Sequence, residues 1–244
     1  MHTKFFLAPH DPVTRERLME GSIFVVDKPL NWTSFDVVNK VKGKAKYRFQ
    51  LPKLKIGHAG TLDPLATGVI VICTGPCTKM IESLQAQEKE YTGSFYLGAT
   101  TPSFDLETTP VFQSKIDHID LAKLESAASQ FVGNIEQTPP IYSAVQQDGK
   151  RLYELARQGK TTVIKSRFVD VFEMKITEFE PPLVHFLIRC SKGTYIRSIA
   201  DDFGKKLGTG AYLNSLRRTA SGEFKVEEAW SVEELALAFG GDNT

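Results

Sequence analysis

GHAGTLDPLATGV, residues 57–69, is the stretch on which the reading of this sequence turns. It carries one acid, Asp63, and one imidazole, His58, among glycines, threonines and small apolar residues. Gly57, Gly60 and Gly68 permit a positive φ or close backbone approach. Pro64 fixes the backbone just after Asp63 and pushes Asp63 itself into an extended conformation. Thr61 and Thr67 can tie the loop to itself through hydroxyl hydrogen bonds. On these residues two readings of Asp63 stand open. It is either a carboxylate projected by a narrow, rigid loop or a turn-starting aspartate bonded to its own backbone.

Working outward, Ile23 to Val26 reads as a strand entering a turn at Asp27-Lys28-Pro29. Thr33 or Ser34 caps a helix with apolar residues at Phe35, Val38 and Val41. Beyond the loop, Val69 to Cys73 is a continuous apolar run, the signature of a buried strand, ended by Gly75-Pro76. Lys79 to Leu84 predicts a short helix and Tyr91 to Ala99 a strand. Thr100 to Val111 is rich in turn residues. Leu121 to Phe131 has helical spacing behind an Asp120 cap. Leu152 to Arg157 reads as helical. Phe168 to Phe179 and Leu183 to Cys190 read as strands around Pro181-Pro182. Tyr195 to Leu207 predicts a helix stopped by Gly208, and Ala211 to Leu216 a short strand. Ser231 and Glu234 form a capping box that opens a last helix. Strands and helices intermix without a βα repeat, which predicts an α+β fold with a largely antiparallel sheet in one principal domain.

The 244 residues are 41% hydrophobic and 24% charged, ordinary values for a globular protein. Three scattered cysteines, Cys73, Cys77 and Cys190, make no disulfide framework, and no His or Cys cluster completes a zinc site. No apolar run approaches the ~18 residues of a membrane span. The opening MHTKFFLAPHDP is too short and polar for a signal peptide. A cytoplasmic protein without metal or membrane is expected. Net charge is only +1, yet Lys40, Lys42, Lys44, Lys46, Arg48, Lys53 and Lys55 form a basic stripe with no acid, interleaved with Tyr47 and Phe49. That pattern suits a phosphate backbone and equally a solvated loop. Phosphate-binding loops, dinucleotide fingerprints, nucleophile elbows and metalloprotease motifs are missing, so most cofactor chemistries have no anchor.

The loop is one of six ordered stretches: DKPLNWTS (27–34), GHAGTLDPLATGV (57–69), KEYTGSFYLGATTPSFDLE (89–107), PPIYSAVQQDGKRLYELARQG (139–159), SKGTYIRSIADDFG (191–204) and LRRTASGEF (216–224). Together they resemble the bacterial TruB-type tRNA pseudouridine synthases, over roughly Gly21 to Leu235. The resemblance implies a pseudouridine synthase fold, an α+β mixed central sheet flanked by helices with an RNA-binding cleft across it. It implies isomerisation of the T-loop uridine at tRNA position 55 by base flipping, without a cofactor. The expected partner is the tRNA T-arm, with no membrane and no obligatory protein partner, for a monomer.

The same resemblance assigns roles. Asp63 matches the catalytic aspartate and Arg197 the arginine that pairs with it. Tyr91 matches the tyrosine stacked on the flipped uracil. His58 matches the histidine beside the flipped nucleotide. Lys28 supports the site, Tyr195 packs under the catalytic loop, and Leu216 lines the base pocket. Tyr142, Lys150, Arg151 and Arg157 belong to the stretch read either as a T-stem contact or as a solvated helix. The basic stripe, lying just before the catalytic loop, is expected to touch RNA. A lone acid suits this chemistry: hydrolytic glycosidases use two carboxylates, whereas an isomerase that retains its uracil can use one.

Two departures stand out. The loop after Leu97-Gly98 lacks the family's first aspartate and keeps only Asp105, and Ala59 replaces a frequent threonine. The chain ends soon after Leu235, so no C-terminal PUA-type RNA-binding domain is expected. A non-catalytic RNA chaperone and an N-glycosidase are the competing functions; the set Asp63, Tyr91 and Arg197 opposes the first, and the missing second acid the second.

Overall fold

A computed structural model describes residues 4–142, 146–147, 150–151 and 164–239. In chain order they form α1 (Arg15–Glu20), β1 (Ile23–Lys28), α2 (Ser34–Phe49), β2 (Ile56–Ala59), β3 (Ala66–Thr74), a 3-10 turn (Gly75–Met80), α3 (Ile81–Gln85) and β4 (Lys89–Leu97). There follow β5 (Ala99–Thr100), β6 (Val111–Phe112), α4 (Leu121–Ser129), β7 (Gly133–Gln137), β8 (Gln146–Gln147), β9 (Lys150–Arg151), β10 (Arg167–Glu180) and β11 (Leu183–Cys190). The chain finishes with α5 (Ile196–Leu207), β12 (Ala211–Ser221), β13 (Phe224–Lys225), β14 (Trp230–Ser231) and α6 (Val232–Ala238). These elements group into two compact units. One holds the residues up to Glu90 and those from Arg217 onward; the other holds Tyr91–Leu216.

In the first unit β1 runs antiparallel to β3, from Ile23 opposite Cys73 to Lys28 opposite Gly68. β14 adds in parallel on the outer side of β1. β2 pairs antiparallel with the far end of β3, from Ile56 opposite Thr74 to Ala59 opposite Val71. β1 and β3 are apolar on both faces because both faces are covered. Phe24, Val26, Ile70 and Ile72 pack with Val37, Val38, Val41 and Ala45 of α2 and with α6. Ile23, Val25, Val69, Val71 and Cys73 pack on the opposite face with Leu84 and Phe224. Each fully buried Val or Ile contributes about 1.5–3 kcal/mol, which explains why this run shows no alternation.

Helix α2 opens on a full capping box between Thr33 and Asp36 and ends with Gln50 in the left-handed conformation. It runs to Phe49, so the first part of the basic stripe is helical rather than a loop. Its buried residues are Val37, Val38, Val41 and Ala45, while Phe35, expected on the apolar face, is 64% exposed. Glycine at position 43 costs about 1 kcal/mol inside a helix; tertiary packing of the apolar face outweighs it.

In the second unit β4, β11, β10 and β7 lie in that order. β10 is antiparallel to both β11 and β7. Burial alternates residue by residue in β11, and in β10 between its bulges, because one face packs inward and the other meets water. β12 starts in this unit, where Ser215 hydrogen-bonds Ser94 of β4 at 2.8 Å. It extends to Ser221, five residues beyond the expected Leu216. α5 starts after Tyr195 and stops at Gly208, whose φ of 70° supplies the left-handed cap. The expected helix at Leu152 to Arg157 lies outside the described residues.

Candidate active site

Strands take both ends of the 57–69 stretch, leaving residues 60–65 as the hairpin loop between β2 and β3. Asp63 is half-buried in it. Its carbonyl accepts from Ala66 N at 3.0 Å, and Pro64 O accepts from Asn31 N at 2.9 Å. Three side chains from distant sequence pin the loop. Ser34, at the start of α2, accepts from Leu62 N at 2.8 Å and donates to Leu62 O at 3.1 Å. Arg218, 1% exposed, donates to Val69 O at 2.7 Å, Gly60 O at 3.1 Å and Thr61 O at 3.5 Å. Lys28, fully buried, donates to Trp32 O at 2.6 Å, Pro29 O at 3.0 Å and Pro64 O at 3.4 Å. Glycine is required where the loop meets β12: Gly68 has φ of 102°, and a Cβ there would collide with the backbone of Arg218.

The electrostatics of this loop follow from the same packing. Burial pushes the Lys28 ammonium down to about 8; the negative charge of Asp63 is the leading influence opposing that fall. The aspartate thus sits in the field of a buried cation. His58 on β2 has its pKa lowered, first by burial and then by the charge of Arg218. Its imidazole is neutral at pH 7, and its Nδ1 is buried without a hydrogen-bond partner among the described residues. Arg217, next to Arg218, reaches outward to Asp27 in a two-pronged pair at 2.6 and 3.1 Å.

The second unit assembles a different cluster. Arg197, in the first turn of α5 and 3% exposed, lies 3.6 Å from the carboxylate of Asp105. It also donates to Tyr142 O at 2.9 Å and Ser103 O at 3.5 Å. Its guanidinium lies over the Tyr195 ring at 5.9 Å, and Arg167 lies over that same ring at 4.9 Å. Gln137 holds the Tyr195 backbone from both sides, accepting from its N–H at 2.8 Å and donating to its C=O at 3.0 Å. The altered 101–108 loop is closed on itself. Ser103 bonds Thr108 at 2.7 Å and Asp105 O at 3.1 Å, and Asp105 accepts from Glu107 N at 2.9 Å. The surviving aspartate of that loop is therefore a buried partner of Arg197. Tyr91 is buried at the start of this unit's part of β4.

Two profiles match the chain. The TruB family pseudouridylate synthase N-terminal domain covers residues 44–196, and the tRNA pseudouridylate synthase B C-terminal domain covers residues 197–242. The chain belongs to the TruB family. It is 51% identical over 218 residues to the tRNA pseudouridine synthase B of Flavobacterium johnsoniae, covering 89% of this chain and 95% of that protein. It is 47% identical over 215 residues to the protein of the same name from Parabacteroides distasonis, covering 88% and 92%. Among solved structures, a Cbf5-Nop10-Gar1 complex superposes with a TM-score of 0.70 at 27% identity, covering 94% of this chain and 57% of that one. The expected fold and enzyme class hold: this is a TruB-family pseudouridine synthase with mostly antiparallel strands flanked by helices.

The remaining TruB-family assignments map as follows. Lys40, Lys42, Lys46, Arg48, Lys53 and Lys55 are exposed and Lys44 is half-buried. Leu216 is half-buried on β12. Tyr142 contributes its carbonyl to Arg197. Lys150 and Arg151 lie on β9, their side chains outside the described residues, as is Arg157 altogether. Sequence reasoning passed over Ser34, Arg218, Asp27 and Ser103 as site supports. Arg218 had a visible signal, the Arg-Arg pair inside LRRTASGEF; Ser34 resembled an ordinary helix cap. Among described residues, Glu178, Glu180 and His185 on the β10–β11 hairpin have ligand atoms within 4.8 Å of one another, mostly at the surface. Cys73 and Cys77 are free; burial, then Cys77, pushes the Cys73 thiol up to about 12, which disfavours a metal-binding thiolate.

Proposed function

We propose that this protein converts uridine to pseudouridine in the T-loop of tRNA, at position 55, without a cofactor. The observation that carries the reading is a single half-buried carboxylate on a loop pinned by Arg218, Ser34 and Lys28, in a TruB-family chain half identical to tRNA pseudouridine synthase B relatives. The reaction breaks the N1–C1′ bond, turns the retained uracil and forms C5–C1′. The proton leaving C5 is balanced by one gained at N1, so nothing is consumed. One ionised carboxylate suffices, because no leaving base must be replaced by water. Asp63 supplies it. Lys28 places a buried positive charge near it, and Arg197, held in place by Asp105 and Tyr142, supplies a further positive charge. Tyr91 stacks on the extruded uracil and assists removal of the C5 proton; His58, neutral, fills space left by the base. Base extrusion costs a few kcal/mol, which such contacts offset. The partner is tRNA alone, for a monomer in the cytoplasm.

The test uses an unmodified T-arm stem-loop with pseudouridine mapping. Wild type converts the T-loop uridine. Asp63→Asn lowers turnover by roughly 10³-fold or more while the stem-loop still binds. Undiminished conversion by Asp63→Asn, conversion at another uridine, or release of free uracil contradicts the reading.

A further inference from the structure

The end of the β2–β3 hairpin farthest from Asp63 opens into a cavity of about 570 Å³. It lies where Gly75 N donates to Lys55 O at 2.9 Å. Four residues of strand separate it from the catalytic loop, about 13 Å at the usual rise. Its volume falls in the range of small-ligand sites. Met19, Leu54 and Pro76 give it apolar walls, and Lys53, Lys55 and Lys79 are its charged residues; no acid lines it. Met19 is 50% exposed. None of the three lysines forms an ion pair among the described residues. Apolar walls flanked by three cations suit a flat aromatic base attached to a phosphate. The cavity also directly follows the cationic helix α2, whose C-terminal cap, Gln50, is among its lining residues.

We propose that this cavity holds an unstacked nucleotide of the RNA substrate, other than the uridine that reacts. Its base lies against Met19, Leu54 and Pro76, and its phosphate meets Lys53, Lys55 and Lys79. Single-stranded RNA is commonly held this way, by splayed bases on apolar or aromatic surfaces and phosphates on cations. The site rests on the RNA substrate of the proposed function but not on the chemistry at Asp63. It gives the enzyme a second grip on the strand, outside the catalytic loop.

The experiment follows methyl-labelled methionine by NMR in Asp63→Asn protein, which holds RNA unconverted. Met19 reports on the cavity and Met174, on β10, is the control. Adding unmodified tRNA transcript shifts the Met19 methyl upfield through the ring current of the bound base and leaves Met174 in place. Lys79→Glu weakens transcript binding about tenfold, as does Leu54→Asp, and both reduce the Met19 shift at fixed RNA concentration. Uridine 5′-monophosphate produces a weaker version of the same shift, and adding transcript replaces it with the full one. Three results overturn the proposal: saturating transcript without a Met19 shift; loss of affinity in Lys79→Glu without any base signal at Met19, which means a phosphate contact only; or a monophosphate shift that stays unchanged at saturating transcript, which means a free-nucleotide site. Pseudouridine mapping with wild-type protein runs alongside. A Met19 shift without any pseudouridine product locates the failure in the proposed reaction and leaves the cavity assignment intact.

Discussion

Lys28 sits in a cage of three carbonyls, and its ammonium is the form those carbonyls require. Deprotonated, it has two N–H donors for three acceptors. Burial nevertheless pulls its pKa from 10.5 to about 8. The sign of the consequence differs for stability and for activity. Between about pH 8 and 10.5 the unfolded chain carries a proton here that the folded chain lacks, so this residue's contribution to stability rises with pH over that window. Over the same window the positive charge beside Asp63 disappears. The wild-type rate is therefore expected to fall as pH rises through about 8. Lys28→Met lowers the rate at pH 7 and removes that alkaline limb. A pH–rate profile of the two proteins checks this; an unchanged limb in Lys28→Met would assign it to another group. His58 titrates in the opposite region. Burial, then the charge of Arg218, lowers its pKa and favours the neutral imidazole.

The element that matters most is the β2–β3 hairpin with its six-residue loop. Its closure depends on β12 pressing a backbone against Gly68, where φ is 102°. Gly68→Ala combines left-handed strain with a backbone collision, which no side-chain rotation relieves. A loss of about 2–4 kcal/mol is expected, read as a lower urea midpoint at unchanged slope. The glycine-rich composition announced a constrained loop, and Gly60 and Gly68 both take positive φ. Gly57 does not. Its constraint is packing, because a Cβ there would meet Ile81 Cδ1 at 2.7 Å. That difference was illegible locally, since Ile81 stands far along the chain. Helix α2 shows the converse. Thr33 or Ser34 marked its start, but the lysine-rich run concealed its length. The buried face of α2 consists of Val37, Val38, Val41 and Ala45 only, so the apolar signal thins out before the helix stops.

Across the whole molecule a net charge of +1 hides a strongly uneven distribution. Lys40, Lys42, Lys46 and Arg48 all point a cation toward solvent on one helix. RNA binding should weaken with salt, each contacted phosphate contributing about 0.7 to the slope of log K against log salt. Replacing these four residues by alanine is expected to flatten that slope by up to about 3, measured by filter binding across a salt series. An unchanged slope would remove α2 from the RNA surface. The sequence by itself determined the family and the reaction class and singled out Asp63 as the candidate carboxylate, because these reside in ordered local stretches whose residue types must be present for the chemistry. It also determined the alternating strands β10 and β11, where one wet face writes a two-residue period. Tertiary structure alone decided that Arg218, Ser34 and Lys28 hold the Asp63 loop and that Asp105 is a buried partner of Arg197. Those contacts join residues up to 158 positions apart. Their energy comes from satisfying buried carbonyls and charges, a requirement that exists only once folding has removed the water.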